Sequence, residues 1–228
     1  MSQYINSIFT EVASKYDSVN TLSSLGIIVL WRKSAAREAV ISKRSYRLLD
    51  IATGTGELAI EIDRLARKLG RSVEITAMDF NRGMLSVAAR KVRERGLGIK
   101  VEQGDAMDLK YKDGQFDVVT SSFALRNVDS LERFAKESYR VLRKGGKFVF
   151  MDMGRPDSAI SRAVIRAYWL AVSPIGRYAD PEAFKWLVES TSKFDKYKFA
   201  SILRKAGFRN IKIKNEITGA AFMITGNK

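Results

Sequence analysis

Leu48–Glu57 reads LLDIATGTGE: an apolar run that closes on an acid, then two glycines around a threonine. An apolar run that empties into a glycine turn and then into helical spacing is the opening step of a doubly wound α/β fold. In such folds that turn holds a nucleotide-like ligand. Gly54 and Gly56 allow a tight turn and a close approach of backbone to ligand. Alone, the stretch does not choose the ligand. Gly54-x-Gly56-x-x-Ala59 is a fair dinucleotide fingerprint, and Asp79, ending the next apolar run, suits a ribose in either case.

Outward from the turn, the pattern alternates. It predicts strands at 47–51, 73–79, 99–103, 116–122 and 148–153, and helices at 57–69, 84–95 and 131–142. Lys144-Gly145-Gly146, a basic end followed by glycine, predicts the stop of the third helix. Two further strands, 208–217 and 220–225, flank Thr218-Gly219 and predict an antiparallel hairpin at one side of a parallel sheet. The first 45 residues and the stretch 157–206 have helical character, and both are expected to pack over one end of the sheet. The expectation is one domain over 1–228: an N-terminal helical cap (1–45), a ligand-binding core (46–154), a helical lid (155–206) and a terminal hairpin (207–228).

Three features favour S-adenosylmethionine in the turn. Asp50 stands before the glycines in D-x-A-x-G-x-G, and Glu57 after them. A pyrophosphate on a helix N-terminus would be ill served by nearby acids, whereas a sulfonium and an ammonium suit them. Gly104-Asp105-Ala106 follows the third strand, where an acid can meet an adenine amino group. Five parallel-type strands followed by a hairpin is the class I methyltransferase order, a Rossmann-like sheet of seven strands.

Composition narrows the chemistry. There is no cysteine and no histidine among 228 residues. That excludes disulfides, thiolate nucleophiles, Cys/His zinc sites and a histidine base, and no carboxylate cluster suggests an oxygen-ligated metal. Net charge is +15, consistent with an anionic membrane, nucleic acid or simply a solvated basic surface. No apolar run approaches a membrane span, and the opening stretch lacks the pattern of a signal peptide, so a cytoplasmic protein is expected.

The flanks carry a resemblance. FTEVASKYDSVNTLSSLGIIVLW (9–31), DVVTSSFALRNV (117–128), WLVEST (186–191) and LRKAGFRNIKIKNEITGAA, with DIATGTGE and GDA, together resemble the C-methyltransferases of menaquinone and ubiquinone biosynthesis (UbiE/MenG type). The resemblance runs from about residue 9 to the C-terminus. It implies methylation of a ring carbon of a polyprenylated quinol, with S-adenosylmethionine as donor and S-adenosylhomocysteine as product. It implies donor contacts from Lys15, Tyr16, Asp50, Gly54, Thr55, Gly56, Asp79, Asp105, Ala106 and Ser122. Arg126 and Asn127, with Tyr16, would stand beside the ring: Arg126 to stabilise a quinolate, the other two to hold ring oxygens. The family usually has histidine at Ile28 and often arginine at Val29, so this chain departs there, and 155–180 matches loosely. The apolar stretch 160–175 reads either as core packing or as a channel for a prenyl tail. Such a substrate implies peripheral contact with the inner face of an anionic membrane. A homodimer is compatible with the pattern, and no nucleic-acid partner is expected.

Other readings are weaker. Base-amine methylation uses an N/D/S-P-P-Y/F loop, but Ser121-Ser122-Phe123-Ala124 stands there; RNA cytosine-carbon methylation needs a cysteine. A dinucleotide oxidoreductase conflicts with the acid before the glycines. A non-catalytic binder of the same fold, or a methyltransferase for another lipophilic or small aromatic acceptor, stays open.

Overall fold

The computed structural model describes residues 10–228 except 12 and 180; residues 1–9 of the expected cap lie outside the described residues. The centre is β1 (Ser45–Ile51), whose last four residues are buried on both faces, as a central parallel strand requires. β2 (Ser72–Asp79) lies on one side of it and β4 (Phe116–Ser122) on the other, both parallel. β3 (Lys100–Gln103) extends the sheet beyond β2, and β5 (Leu142–Met153) extends it beyond β4. β7 (Ala221–Asn227) runs antiparallel on β5, and β6 (Arg209–Asn215) takes the edge, giving the order β3-β2-β1-β4-β5-β7-β6. The chain winds outward in opposite directions from β1 and β4, so a crevice opens at their C-terminal ends.

α1 (Tyr16–Ser23), α2 (Ile27–Ala39), α3 (Glu57–Lys68) and α4 (Arg82–Glu94) precede β3. α5 (Leu131–Val141) precedes β5, and α6 (Ala159–Ala179), α7 (Pro181–Lys193) and α8 (Lys196–Lys205) fill the stretch before β6. One face of the sheet is sealed by Trp31, Ala35, Ala36 and Ala39 of α2 and by Leu58, Ala59 and Ile62 of α3. The opposite face is sealed by Phe134 of α5 and by Phe199 and Leu203 of α8, against Phe148 and Phe150. The two helical stretches are therefore split. α2 and α8 are layers on opposite sheet faces, because each carries its own apolar stripe. α1 and α6, one from each stretch, meet through the Tyr168 hydroxyl and the Ser23 carbonyl.

Two boundaries moved for local reasons. α4 begins at Arg82, because the Asn81 side chain accepts the Met84 amide N–H at 2.8 Å and caps the helix. α5 stops at Val141 and β5 begins on the next residue. Lys144-Gly145-Gly146 is not a helix stop but a bulge within β5: Phe116 faces Leu142, Val118 faces Lys147, and Gly145 takes φ +72°.

Candidate active site

The crevice is a cavity of about 260 Å³ at the ends of β1, β2 and β4, lined by residues that follow each of these strands. Two non-glycine residues there hold left-handed backbone: Ala52 (φ +54°) just after β1 and Phe123 (φ +59°) just after β4. Such conformations cost roughly 1–3 kcal/mol each and gather at functional sites. Both residues line the cavity.

The glycine turn is fixed from two sides. Beneath it, Asp50 is almost fully buried and accepts the Thr53 and Thr120 hydroxyls, each at 2.6 Å. Burial pushes its carboxyl up to about 6, against the two hydroxyls that favour its charge. Beside it, Asp79 accepts the Gly54 amide at 2.7 Å and the Asn81 amide at 2.8 Å. Burial raises the Asp79 carboxyl too. Gly54 and Gly56 both need positive φ, +59° and +80°. At Gly56 a Cβ would also come within 3.3 Å of the Ala88 methyl, so the turn and α4 pack as closely as glycine permits.

A polar knot ties α1 to this turn. The Asp17 carboxylate accepts the Thr55 hydroxyl at 2.7 Å and an ammonium proton of Lys91. Lys91 also donates to Glu57 Oε1 at 2.7 Å and to the Thr55 carbonyl at 3.2 Å. Arg32 lies 3.8 Å from Asp17 and 4.0 Å from Glu57. Through this knot Tyr16 comes to line the cavity. Burial holds its phenol above the usual value, against the pull of the Arg32 and Arg126 cations, so the hydroxyl keeps its proton.

Of the other residues singled out by sequence, Gly54, Thr55, Asp79, Asp105, Ala106, Ser122 and Asn127 also line the cavity. Asn127 Oδ1 is buried with no hydrogen-bond partner among the described residues, although its Nδ2 reaches the Phe123 carbonyl at 3.5 Å. Asp50 and Gly56 shape the turn from behind. Lys15 is exposed at the start of α1. Arg126 is buried behind the turn Leu125–Asn127: Nε donates to Asp152 Oδ1 at 2.6 Å, and Nη1 donates to Ser190 at 2.9 Å and to Thr191 at 3.3 Å. Its guanidinium lies 5.7 Å from the Trp186 ring. Arg126 thus joins β5 to α7, and its field reaches Tyr16. Phe80, half-exposed on the cavity wall, Met107 and the Asp17–Lys91 pair were missed. The signal for Phe80 was its place directly after Asp79. For Lys91 the sequence offered none.

The acid-lined wall suits a cationic donor. Glu57 occupies the N-terminus of α3 where a pyrophosphate would otherwise dock. Beyond its backbone amide partners Gly54, Phe80 and Asn81, the Asp79 carboxylate has acceptor capacity left for a hydroxyl. Fold and site define a class I S-adenosylmethionine-dependent methyltransferase. The ubiE/COQ5 methyltransferase family model matches residues 1–228, and the chain belongs to that family. The ubiquinone/menaquinone biosynthesis C-methyltransferase UbiE of Brucella anthropi is 33% identical over 231 residues, covering 98% of this chain and 87% of the relative. The demethylmenaquinone methyltransferase of Deinococcus radiodurans is 36% identical over 230 residues, covering 99% and 93%. Among solved structures, a SAM-dependent methyltransferase from Thermotoga maritima superposes with TM-score 0.69 at 21% identity, covering 97% of this chain and 98% of that one; this likeness concerns the fold.

Proposed function

We propose that this methyltransferase acts on a ring carbon of a polyprenylated quinol in quinone biosynthesis. The observation that carries the reading is the likeness, over nearly the whole chain, to methyltransferases named for demethylmenaquinone and for ubiquinone/menaquinone biosynthesis. The bound donor supplies an electrophilic methyl group on a sulfonium. The chain supplies position and field. In this reading the backbone of Gly54, Thr55 and Gly56 cradles the donor over Asp50. Asp79 takes the ribose hydroxyls, Asp105 and Ala106 meet the adenine beside Phe80, and Ser122, Lys15 and Tyr16 close the methionine end.

At the acceptor, Tyr16 stays protonated and donates a hydrogen bond to one ring oxygen. Asn127 Oδ1, without a partner among the described residues, accepts from a ring hydroxyl. Arg126, fixed by Asp152, favours the quinolate through its field rather than by taking a proton. The hydroxyl proton leaves to water before transfer; afterwards the ring carbon gives up its proton and the ring oxygen takes one back, so one proton is released per methyl transferred. The prenyl tail of such an acceptor resides in a bilayer, and a net charge of +15 draws the chain to an anionic one. The protein would work at the cytoplasmic face of that membrane, with no nucleic-acid partner, as a monomer or a homodimer.

The test uses methyl-labelled S-adenosylmethionine with reduced demethylmenaquinone in detergent, and bulk RNA in parallel. Label on the quinol ring carbon, located by mass spectrometry, is the expected result. Donor binding with no label in the quinol would overturn the acceptor, and label in RNA would replace it.

A further inference from the structure

Most of the large exposed apolar side chains among the described residues gather in one region, with Leu69, Phe80 and Tyr197 outside it. On α1 and the α1–α2 corner stand Val19, Leu22 (78% exposed), Leu25 (81% exposed) and Leu30. On the outer face of α6 stand Ile160 (78% exposed), Val164 and Leu170 (68% exposed), with alanines 163, 167 and 171 exposed between them. These elements are neighbours. The Tyr168 hydroxyl of α6 donates to the Ser23 carbonyl at the end of α1. The start of α6 abuts the β6–β7 turn, where a Cβ on Gly219 would lie 3.0 Å from the Ser161 hydroxyl. Trp31 of α2 donates to the Ile217 carbonyl of the same turn at 3.4 Å, and the Ile217 side chain is exposed as well. The opposite side of α6 turns Ile165 into the core, so the outer residues are not surplus core.

Charge says what this face meets. α6 carries no acid and presents Arg162 and Arg166 at its outer surface. Asp17, the acid of α1, is held inward by Thr55 and Lys91, and Glu38 of α2 is bound to Lys147 at 2.7 Å. An apolar face rimmed by arginines with its acids neutralised fits an anionic lipid surface. A second copy would bring the same cationic rim against itself, which disfavours self-association here.

We propose that the α1–α2 corner and the outer face of α6 form one insertion surface by which the protein sits on an anionic bilayer. The inference rests on the lipophilic-acceptor reading, and it places the face beside α1, the helix that carries Tyr16 into the cavity. Residues 160–175 then serve two ends: the inner side packs, and the outer side meets lipid.

The test is co-sedimentation of the full chain with vesicles of phosphatidylcholine, with and without 30% (about one third) phosphatidylglycerol. The wild type should bind the anionic vesicles and lose binding in high salt. The variant Leu22→Gln/Leu25→Gln/Ile160→Gln/Leu170→Gln should bind at least about tenfold more weakly, with donor affinity and melting temperature kept. A second probe, Leu25→Trp, should show a blue-shifted emission on anionic vesicles. Equal binding by wild type and quadruple variant, or no emission shift, would overturn the face. So would a wild-type dimer that the quadruple variant abolishes, since a second copy would then be the occupant. Turnover of detergent-dispersed demethylmenaquinol separates the two readings: retained turnover with no vesicle binding sinks the surface alone, and lost turnover in detergent sinks the acceptor.

Discussion

Asp50 shows at a single residue how the donor site is bought from stability. Its carboxyl titrates near 6 in the fold, against a usual value of 3.8. The fold therefore holds a proton that the unfolded chain has released between about pH 4 and pH 6, and stability falls as pH rises through that window. The full shift amounts to roughly 3 kcal/mol at neutral pH. Asp50→Asn should flatten this slope, which denaturant titrations at stepped pH would read; Asp79, raised in the same sense, would leave a residual slope. Above pH 6 Asp50 is ionised under the turn, the charge state a cationic donor wants. Arg126 behaves differently. Asp152 is fully buried against it. Arg126→Ala would strand that carboxylate and should cost about 3–5 kcal/mol in a denaturation curve. Per folded molecule, turnover should drop sharply while donor affinity, by calorimetric titration, stays within about twofold. The motif Leu125-Arg126-Asn127 was legible in the sequence; the carboxylate that binds Arg126, from a different strand 26 residues on, was not.

Elements explain the rest of what could and could not be read. The alternation of strand and helix was legible because burial on a parallel sheet places apolar pairs and runs, Leu48-Leu49, Val118-Val119 and Phe148–Met151, in β1, β4 and β5. The glycine turn was legible because its backbone leaves few alternatives. The knot that fastens α1 was not, because its members come from α1, α2, the turn, the start of α3 and α4, and no local spacing links Asp17 to Lys91, 74 residues apart. That knot makes a prediction for the element. Lys91→Met removes the closer of the two cations shared by Asp17 and Glu57 and leaves them only the longer Arg32 contacts, 3.8 and 4.0 Å. α1 should then detach more readily: trypsin should cut after Lys15 faster, and the donor dissociation constant should rise about tenfold. Lys91→Arg should restore much of both. Unchanged cleavage and affinity in the methionine variant would show that α1 is held by packing instead. Glycine signals misled once, at Lys144-Gly145-Gly146, since a helix stop and a strand bulge draw on the same positive-φ residue.

For the whole molecule, the sheet is most sensitive where β7 threads between β5 and β6. A Cβ at Gly226 would lie 2.6 Å from the Phe148 ring and 2.7 Å from the Arg209 carbonyl. Gly226→Ala should therefore lower stability by about 1–3 kcal/mol, seen as a depressed melting temperature in calorimetry. Among the described residues no helix is long and apolar enough to cross a membrane. The last consequence concerns the stretch from 155 to 194, which carries α6 and α7. Its ends meet: the Arg155 amide donates to the Phe194 carbonyl at 3.1 Å, and the adjoining Gly154 amide donates to the Ala220 carbonyl at 3.2 Å. The excursion leaves and re-enters the fold through one seam. Lengthening it adds little closure entropy, roughly 0.6 kcal/mol for a doubling. Inheritance can thus trade this segment like a graft while the donor chemistry beneath it passes on unaltered.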